Sequence, residues 1–326
     1  MLYLEENEIA LNSFYEEVKP LILRKLARID NRISTFIIQH VDELVKAKPP
    51  RLIELNKIFY DSYGADYSSQ EHDWYVNNKI RANSTISKQT AEATRNKYKI
   101  LKDEILGLIN YDHWSKLDTT KGAYLLAKNL GIKTCTYCNR TYTVTLTKNG
   151  HQKLMRPQFD HWFSKSKYPL LALSFYNLIP SCSICNSSIK GNIVFKLNTH
   201  LHPYLDKNEY IKQKISFKIT SDLEYKTSLD LKSSNQRALN TFQAFHLKKT
   251  YEAHQSELSD LIKLKKEYNL SYIKILKNLF PQGKLNEKEI YRIVFGTEIE
   301  DQDFHKRPFS KLKKDILQEL GIIKTI

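Results

Sequence analysis

Apolar positions along the chain follow a helical period at both ends and a strand period in between. From Ile22, the residues Leu26, Ile29, Ile33, Ile37, Val41 and Leu44 recur at helical spacing, and Pro49-Pro50 ends that run. A short helix is predicted over 51–60, with Gly64 opening a polar loop. Another is predicted over 87–110, with Ile100, Ile105, Leu108 and Ile109 on its apolar side. Thr119-Thr120 offers an N-cap, and Gly131 a C-cap, for a helix through Tyr124, Leu125 and Leu126. The period then changes. Residues 141–147 alternate strictly, with Tyr142, Val144 and Leu146 on one face, which predicts a strand. Lys148-Asn149-Gly150 is a tight-turn signal, so 151–155 returns as its partner. Segments 215–219 and 225–231 alternate again and are expected to pair. A long helical pattern covers 235–268, through Leu239, Phe242, Phe245, Tyr251, Leu258, Leu261 and Leu264. Shorter helices finish the chain, one closing at Pro281-Gln282-Gly283 and the last over 308–320.

Composition narrows the class. The chain has 326 residues, 41% hydrophobic and 27% charged, enough to bury a sizeable core in more than one lobe. Nine glycines and nine prolines exclude collagen-like sequence and long flexible linkers. No apolar run reaches membrane-spanning length, and the acidic start Met1-Leu2-Tyr3-Leu4-Glu5-Glu6 lacks the basic opening of a secretory signal. A cytoplasmic protein with no membrane partner is expected. The net charge of +15 favours polyanionic partners. Between Lys133 and His200 nine basic residues face a single acidic one, Asp160, so +8 of that charge sits on this stretch. Such concentration points to a phosphate-binding face over a merely solvated basic surface.

The same stretch holds the chemistry. All four cysteines lie in two Cys-x-x-Cys pairs, Cys135/Cys138 and Cys182/Cys185. Two thiolate knuckles complete a tetrahedron around Zn²⁺ with no open position, which makes a structural site. The 43 residues between Cys138 and Cys182 exceed the gap of compact zinc ribbons, but they accommodate the hairpin, so the zinc would clip the base of the site. Two separate redox dithiols are the alternative, and neither pair sits in the βαβ setting those prefer. Between the knuckles, Asp160 offers a hard oxygen ligand for Mg²⁺ or Mn²⁺, and His161 is a candidate general base. Asn186 can add an amide oxygen to the metal. Lys190, four residues on, can hold a phosphate, while Asn177 is placed to fix the loop or orient the imidazole. Arg140 and Arg156 are candidate phosphate contacts or surface salt bridges. Asp112-His113-Trp114 repeats the dipeptide upstream of both knuckles and reads as a helix terminus or polar contact. His151, His200 and His202 are not expected to be ligands. Trp162, Tyr168 and Phe175 are assigned to the core rather than to base stacking.

The series Asp160-His161, Asn177-Leu178-Ile179-Pro180 and Cys182-x-x-Cys185-Asn186-x-x-x-Lys190-Gly191 resembles the HNH endonuclease motif of the ββα-metal nucleases, over about residues 133–204. That resemblance implies Asp160 and Asn186 as ligands of a catalytic Mg²⁺ or Mn²⁺, His161 as general base and Asn177 as a mainly structural residue. It also implies a structural Zn²⁺ on the four cysteines. The usual family spacing is Asn-x-x-Lys, one residue shorter than here. The longer run 159–172, followed by Asn-Leu-Ile-Pro-Ser-Cys, is similar to HNH proteins of bacterial anti-phage systems, including the nuclease subunit of Septu-type systems, which works beside an ATPase partner. The fold expected is therefore α+β. A small ββα-metal HNH core with zinc knuckles, over 116–204, is flanked by a helical N-terminal lobe over 1–115 and a mainly helical C-terminal lobe with one β-hairpin over 205–326. The function expected is metal-dependent hydrolysis of phosphodiester bonds in nucleic acid, with DNA as substrate, in anti-phage defence. A non-catalytic zinc module binding nucleic acid or a partner protein is the alternative.

Overall fold

The computed structural model describes residues 1–77, 88–191, 193–221, 226–267 and 286–323. Among the described residues the chain is mostly helical, with three small antiparallel two-stranded sheets. One connected cluster of buried side chains runs from Met1 to Ile323 and includes residues from both helical ends and from the centre.

The N-terminal segment forms α1 (Glu8–Leu26), α2 (Arg32–Lys46), α3 (Pro49–Tyr63), α4 (Ser69–Asn77), α5 (Lys88–Ile109) and α6 (Tyr111–Lys116). The apolar run from Ile22 to Leu44 is two helices, not one. Asn31 accepts from the Ser34 backbone N–H while the Ser34 hydroxyl accepts from Asn31 N–H, a reciprocal cap that starts α2 afresh. Periodicity continues across the break because both helices bury the same kind of face. Pro49 and Pro50 occupy the first turn of α3, where a missing N–H costs no helical bond. In α5, Tyr98, Leu101, Ile105, Leu108 and Ile109 are buried, but Ile100 faces solvent at 69% exposure. Helix α7 (Gly122–Leu130) ends at Gly131, whose φ of +64° needs no Cβ penalty. Thr119 and Thr120 do not cap it; the Thr119 hydroxyl donates to the Gly150 carbonyl instead.

The centre carries β1 (Leu146–Lys148) and β2 (Gln152–Met155), joined at Asn149 and Gly150, whose φ values of +51° and +75° are those of a type I′ turn. Strand β1 is shorter than the alternation of 141–147 predicts. Tyr142 and Leu146 are about half exposed, so no buried face extends the pairing. Strand β3 (Gln158–His161) pairs antiparallel with β4 (Leu178–Ser181), with Asp160 opposite Ile179 and His161 opposite Leu178. A π-helical segment, Ile184–Lys190, follows and packs against β3.

Beyond it lie α8 (Lys207–Lys212), then β5 (Lys214–Ser221) paired with β6 (Lys226–Lys232). The long helical pattern over 235–268 breaks into α9 (Gln236–Ala244), α10 (Leu247–Glu252) and α11 (Gln255–Glu267). His246 sits at φ +48°, and this break lets the fully buried Phe245 stack on Tyr137 at 4.1 Å. Tertiary packing has overridden helical propensity here. Helices α12 (Glu287–Phe295) and α13 (Ser310–Glu319) complete the chain; the helix predicted to close at Pro281 lies outside the described residues. Among the described residues no helix is long and apolar enough to cross a membrane.

Candidate functional site

Strand pairing brings the two knuckles together. Strand β4 feeds directly into Cys182, and Thr136, inside the first knuckle, donates its N–H to the Pro180 carbonyl. The four sulfurs are buried and lie within 4.8 Å of one another. A ZnS₄ tetrahedron with Zn–S of about 2.3 Å has edges of about 3.8 Å, so modest convergence of the sulfurs accommodates the ion. Backbone N–H groups of Arg140 and Cys185 point at Cys138 Sγ and Cys182 Sγ, each at 3.4 Å. Four buried thiols at this spacing cannot all ionise unaided. Donation from Cys135 holds Cys138 far below the thiol range, while burial pushes Cys135 well above it. A divalent cation removes that conflict by stabilising every thiolate at once. The donor set can bind zinc, and among the described residues it is the sole group of three or more His, Cys, Asp or Glu side chains whose ligand atoms converge enough to hold a metal ion.

The C-terminal segment closes over the first knuckle. Asn139, at φ +48°, donates to Thr134 Oγ1 (2.9 Å) and to the carbonyls of Phe304 (2.9 Å) and Arg307 (3.2 Å). Its Oδ1 accepts from Lys311 N–H at 3.2 Å, and Tyr251 donates its hydroxyl to the Cys138 carbonyl at 2.8 Å.

His161 leaves β3 on the face opposite Asp160 and is half-buried beneath α6, with its ring 4.4 Å from that of Tyr111. Its Nε2 lies 3.0 Å from the Ala172 carbonyl. A carbonyl only accepts, so Nε2 carries the hydrogen and Nδ1 keeps its lone pair. Burial lowers the imidazole pKa to about 4, against a raising contribution from that carbonyl, so the ring is neutral at pH 7. Asn177 supports the arrangement at one remove. It accepts from Phe163 N–H (2.7 Å) and donates to the carbonyls of Phe163 (3.2 Å) and Leu171 (2.8 Å), folding the loop that presents Ala172. Helix α6 carries Asp112-His113, so the upstream dipeptide does lie near the site, with Asp112 accepting from Lys165 Nζ at 3.0 Å.

Asp160 points the other way, into the protein. Lys190 Nζ donates to both its oxygens, at 2.9 and 2.8 Å, and to the His161 carbonyl. Tyr137, between the first two cysteines, donates its hydroxyl to Oδ2 at 2.5 Å. Both side chains of the ion pair are buried, Lys190 at 2% and Asp160 at 6% exposure. Burial lowers the Lys190 pKa, and the carboxylate opposes that shift. Lys190, expected to hold a phosphate, is thus turned inward. Asn186 donates to Gln158 Oε1 at 2.9 Å rather than joining Asp160. As arranged, Asp160 and Asn186 do not fit a hard cation, because Lys190 already neutralises Asp160 and both its oxygens are hydrogen-bonded, while Asn186 bonds Gln158.

The two arginines are also engaged within the protein. Arg156 donates to the Pro157 carbonyl (2.7 Å) and lies over the rings of Tyr124 and Phe159. Arg140 Nη1 lies 3.5 Å from His254 Nε2. Trp162, Tyr168 and Phe175 are buried in the core. His202 is buried too, accepting the Tyr204 N–H on Nδ1. Tyr137 and the Ala172 carbonyl were not legible as site groups. A tyrosine inside a Cys-x-x-Cys carries no signal of its partner, and a backbone carbonyl carries none at all.

No protein-family model matches the chain, and no solved structure matches it. Protein ea31 of Escherichia phage lambda is 34% identical to it over 56 residues, 17% of this chain and 19% of that protein. The chain thus matches about a fifth of the length of that relative.

Proposed function

We propose that the protein is an HNH-type endonuclease that hydrolyses phosphodiester bonds in nucleic acid, with DNA as the substrate. His161 carries the reading: a neutral imidazole on a short strand, oriented by the Ala172 carbonyl, with Nδ1 free to accept a proton. In this reading Nδ1 takes a proton from water while the water oxygen attacks phosphorus and the 3′-oxygen leaves. Antiparallel β3 and β4 followed by a helical segment over a four-cysteine centre, and the basic excess between Lys133 and His200, support it. A structural zinc on the cysteines, a catalytic Mg²⁺ or Mn²⁺, a role in anti-phage defence and an ATPase partner belong to the same proposal, on the resemblance. The buried Asp160–Lys190 pair favours a second reading, a non-catalytic zinc-containing module that binds nucleic acid or a partner. Plasmid incubation with Mg²⁺ or Mn²⁺, alone and with proteins that co-purify from the native host, separates the two. Cleavage lost in His161→Ala is expected. Inert preparations throughout, or equal activity in the variant, leave only the binding module.

A further inference from the structure

The Asp160 carboxylate has a resident cation, and the helix after the second knuckle is shaped to deliver it. Asn186 and Lys190 are four residues apart, and the helical segment that carries both is π-wound. In this segment Gly191 N–H bonds to the Asn186 carbonyl five residues back at 3.1 Å, so each turn takes up one residue more than an α-turn. A turn closed by such a bond winds more slowly than an α-turn, so Lys190 is set back around the helix axis and aims inward. Its ammonium group then faces three acceptors, the two oxygens of Asp160 and the His161 carbonyl. Phe195 lies beneath, with its ring centre 5.1 Å from Nζ, and the Tyr137 hydroxyl takes the remaining approach to Oδ2. Both oxygens of the carboxylate and its charge are thus engaged.

We infer that Lys190 is a latch that keeps divalent cations off Asp160, held in its inward register by the π-segment. The latch rests on the proposed function, because it concerns the carboxylate that would hold the catalytic ion. A divalent cation at Asp160 requires that Lys190 leave first, and the route is local. Rewinding 184–190 as an α-helix advances Lys190 around the axis and brings Ile189 towards the inward position. Ile189 makes no ion pair with a carboxylate, so Asp160 then stands open. π-Segments of this kind recur at functional sites because one extra residue can be passed along a helix without unfolding it. Whatever releases the latch, a bound nucleic acid or a partner protein, must supply interactions that the inward Lys190 now makes.

Mn²⁺ reports the latch directly, because it broadens nearby NMR signals. The probe is the His161 ring, observed in histidine-labelled, zinc-loaded full chain and assigned with His161→Ala. In the wild type the His161 signals persist through millimolar Mn²⁺. In Lys190→Met they vanish at an Mn²⁺ concentration about a hundredfold lower, the factor that corresponds to removing a satisfied buried ion pair from competition. Lys190→Gln, which still donates to Asp160 but carries no charge, gives the same loss and covers the case in which Lys190→Met does not fold. Wild-type signals that vanish at micromolar Mn²⁺ overturn the latch, whatever the variants do. So does a folded variant whose His161 signals persist like those of the wild type. Intact Mn²⁺ exclusion in the wild type, with no plasmid cleavage even by the folded, Mn²⁺-binding Lys190 variants or with co-purifying proteins, sinks the nuclease reading and leaves the latch standing.

Discussion

Asn139 ties the first cysteine knuckle to the end of the chain, and its replacement has a calculable cost. The side chain is 1% exposed. Its two amide hydrogens serve three acceptors, Thr134 Oγ1 and the carbonyls of Phe304 and Arg307, so one hydrogen is shared. With the bond accepted from Lys311 N–H, three hydrogen bonds are the most it can hold at full strength. At about 1 kcal/mol net for each, Asn139→Ala forfeits about 3 kcal/mol. The backbone adds to this. At φ +48° an alanine Cβ costs about 1 kcal/mol more than asparagine, which tolerates the left-handed region better. The expected loss for Asn139→Ala is therefore about 4 kcal/mol, a large share of a stability of about 5–15 kcal/mol. Asn139→Gly relieves the strain but not the lost bonds, so it should sit about 1 kcal/mol closer to the wild type. Urea denaturation of the zinc-loaded proteins measures both. Hydrogen exchange adds a local test: the amides of Leu312 and Ile316 in α13 should lose protection first, because the knuckle no longer holds their segment. Asn139→Ala within about 1 kcal/mol of the wild type, or unchanged protection in α13, refutes the reasoning.

Other expectations follow from the same geometry. Purified protein should hold about one zinc per chain by elemental analysis, and Cys182→Ser should lose both the zinc and the folded state, since a structural zinc contributes about 10–16 kcal/mol; zinc retained in that variant counts against the clip. Asp160→Asn and Lys190→Met should each cost about 3–5 kcal/mol in denaturation, and the double variant clearly less than their sum, because each single change strands a buried partner. Additive single effects below about 1 kcal/mol would mean that the pair is not a coupled unit. Acid should destabilise the fold early. The buried His72 and His202 have pKa values lowered by burial to about 4 and about 3, below the unfolded value of 6.5. Between these limits the unfolded chain binds more protons, so stability is complete above about pH 6.5 and falls towards pH 4, by about 1.4 kcal/mol per pH unit for each histidine. A urea midpoint that stays flat from pH 7 to pH 5 contradicts that assignment.

The sequence by itself determined what local chemistry can determine. Asn149-Gly150 fixed a type I′ turn because only residues that accept positive φ close it. Alternation placed the β5–β6 pair, and the knuckle spacing brought four sulfurs to one place. Periodicity found the helices but not their breaks. Asn31 and Ser34 restart a helix through a reciprocal cap, and His246 interrupts one so that Phe245 can reach Tyr137, a contact between residues 108 apart in sequence.

The candidate site divides along the same line. Its residues were legible as candidates only, because few side chains suit metal ligation, proton transfer or loop bracing. Where those side chains point was not. His161 and Asp160 are adjacent, yet the pleat sends them to opposite faces, one towards Ala172 and Tyr111, the other towards Lys190 and Tyr137. Lys190 was expected to hold a phosphate, but it ends a π-segment and is the buried partner of Asp160, the only acidic residue between Lys133 and His200. Spacing along a chain records how many residues separate two groups. How many of them each helical turn consumes is settled by packing, since a lysine goes inside only where a buried carboxylate meets its charge.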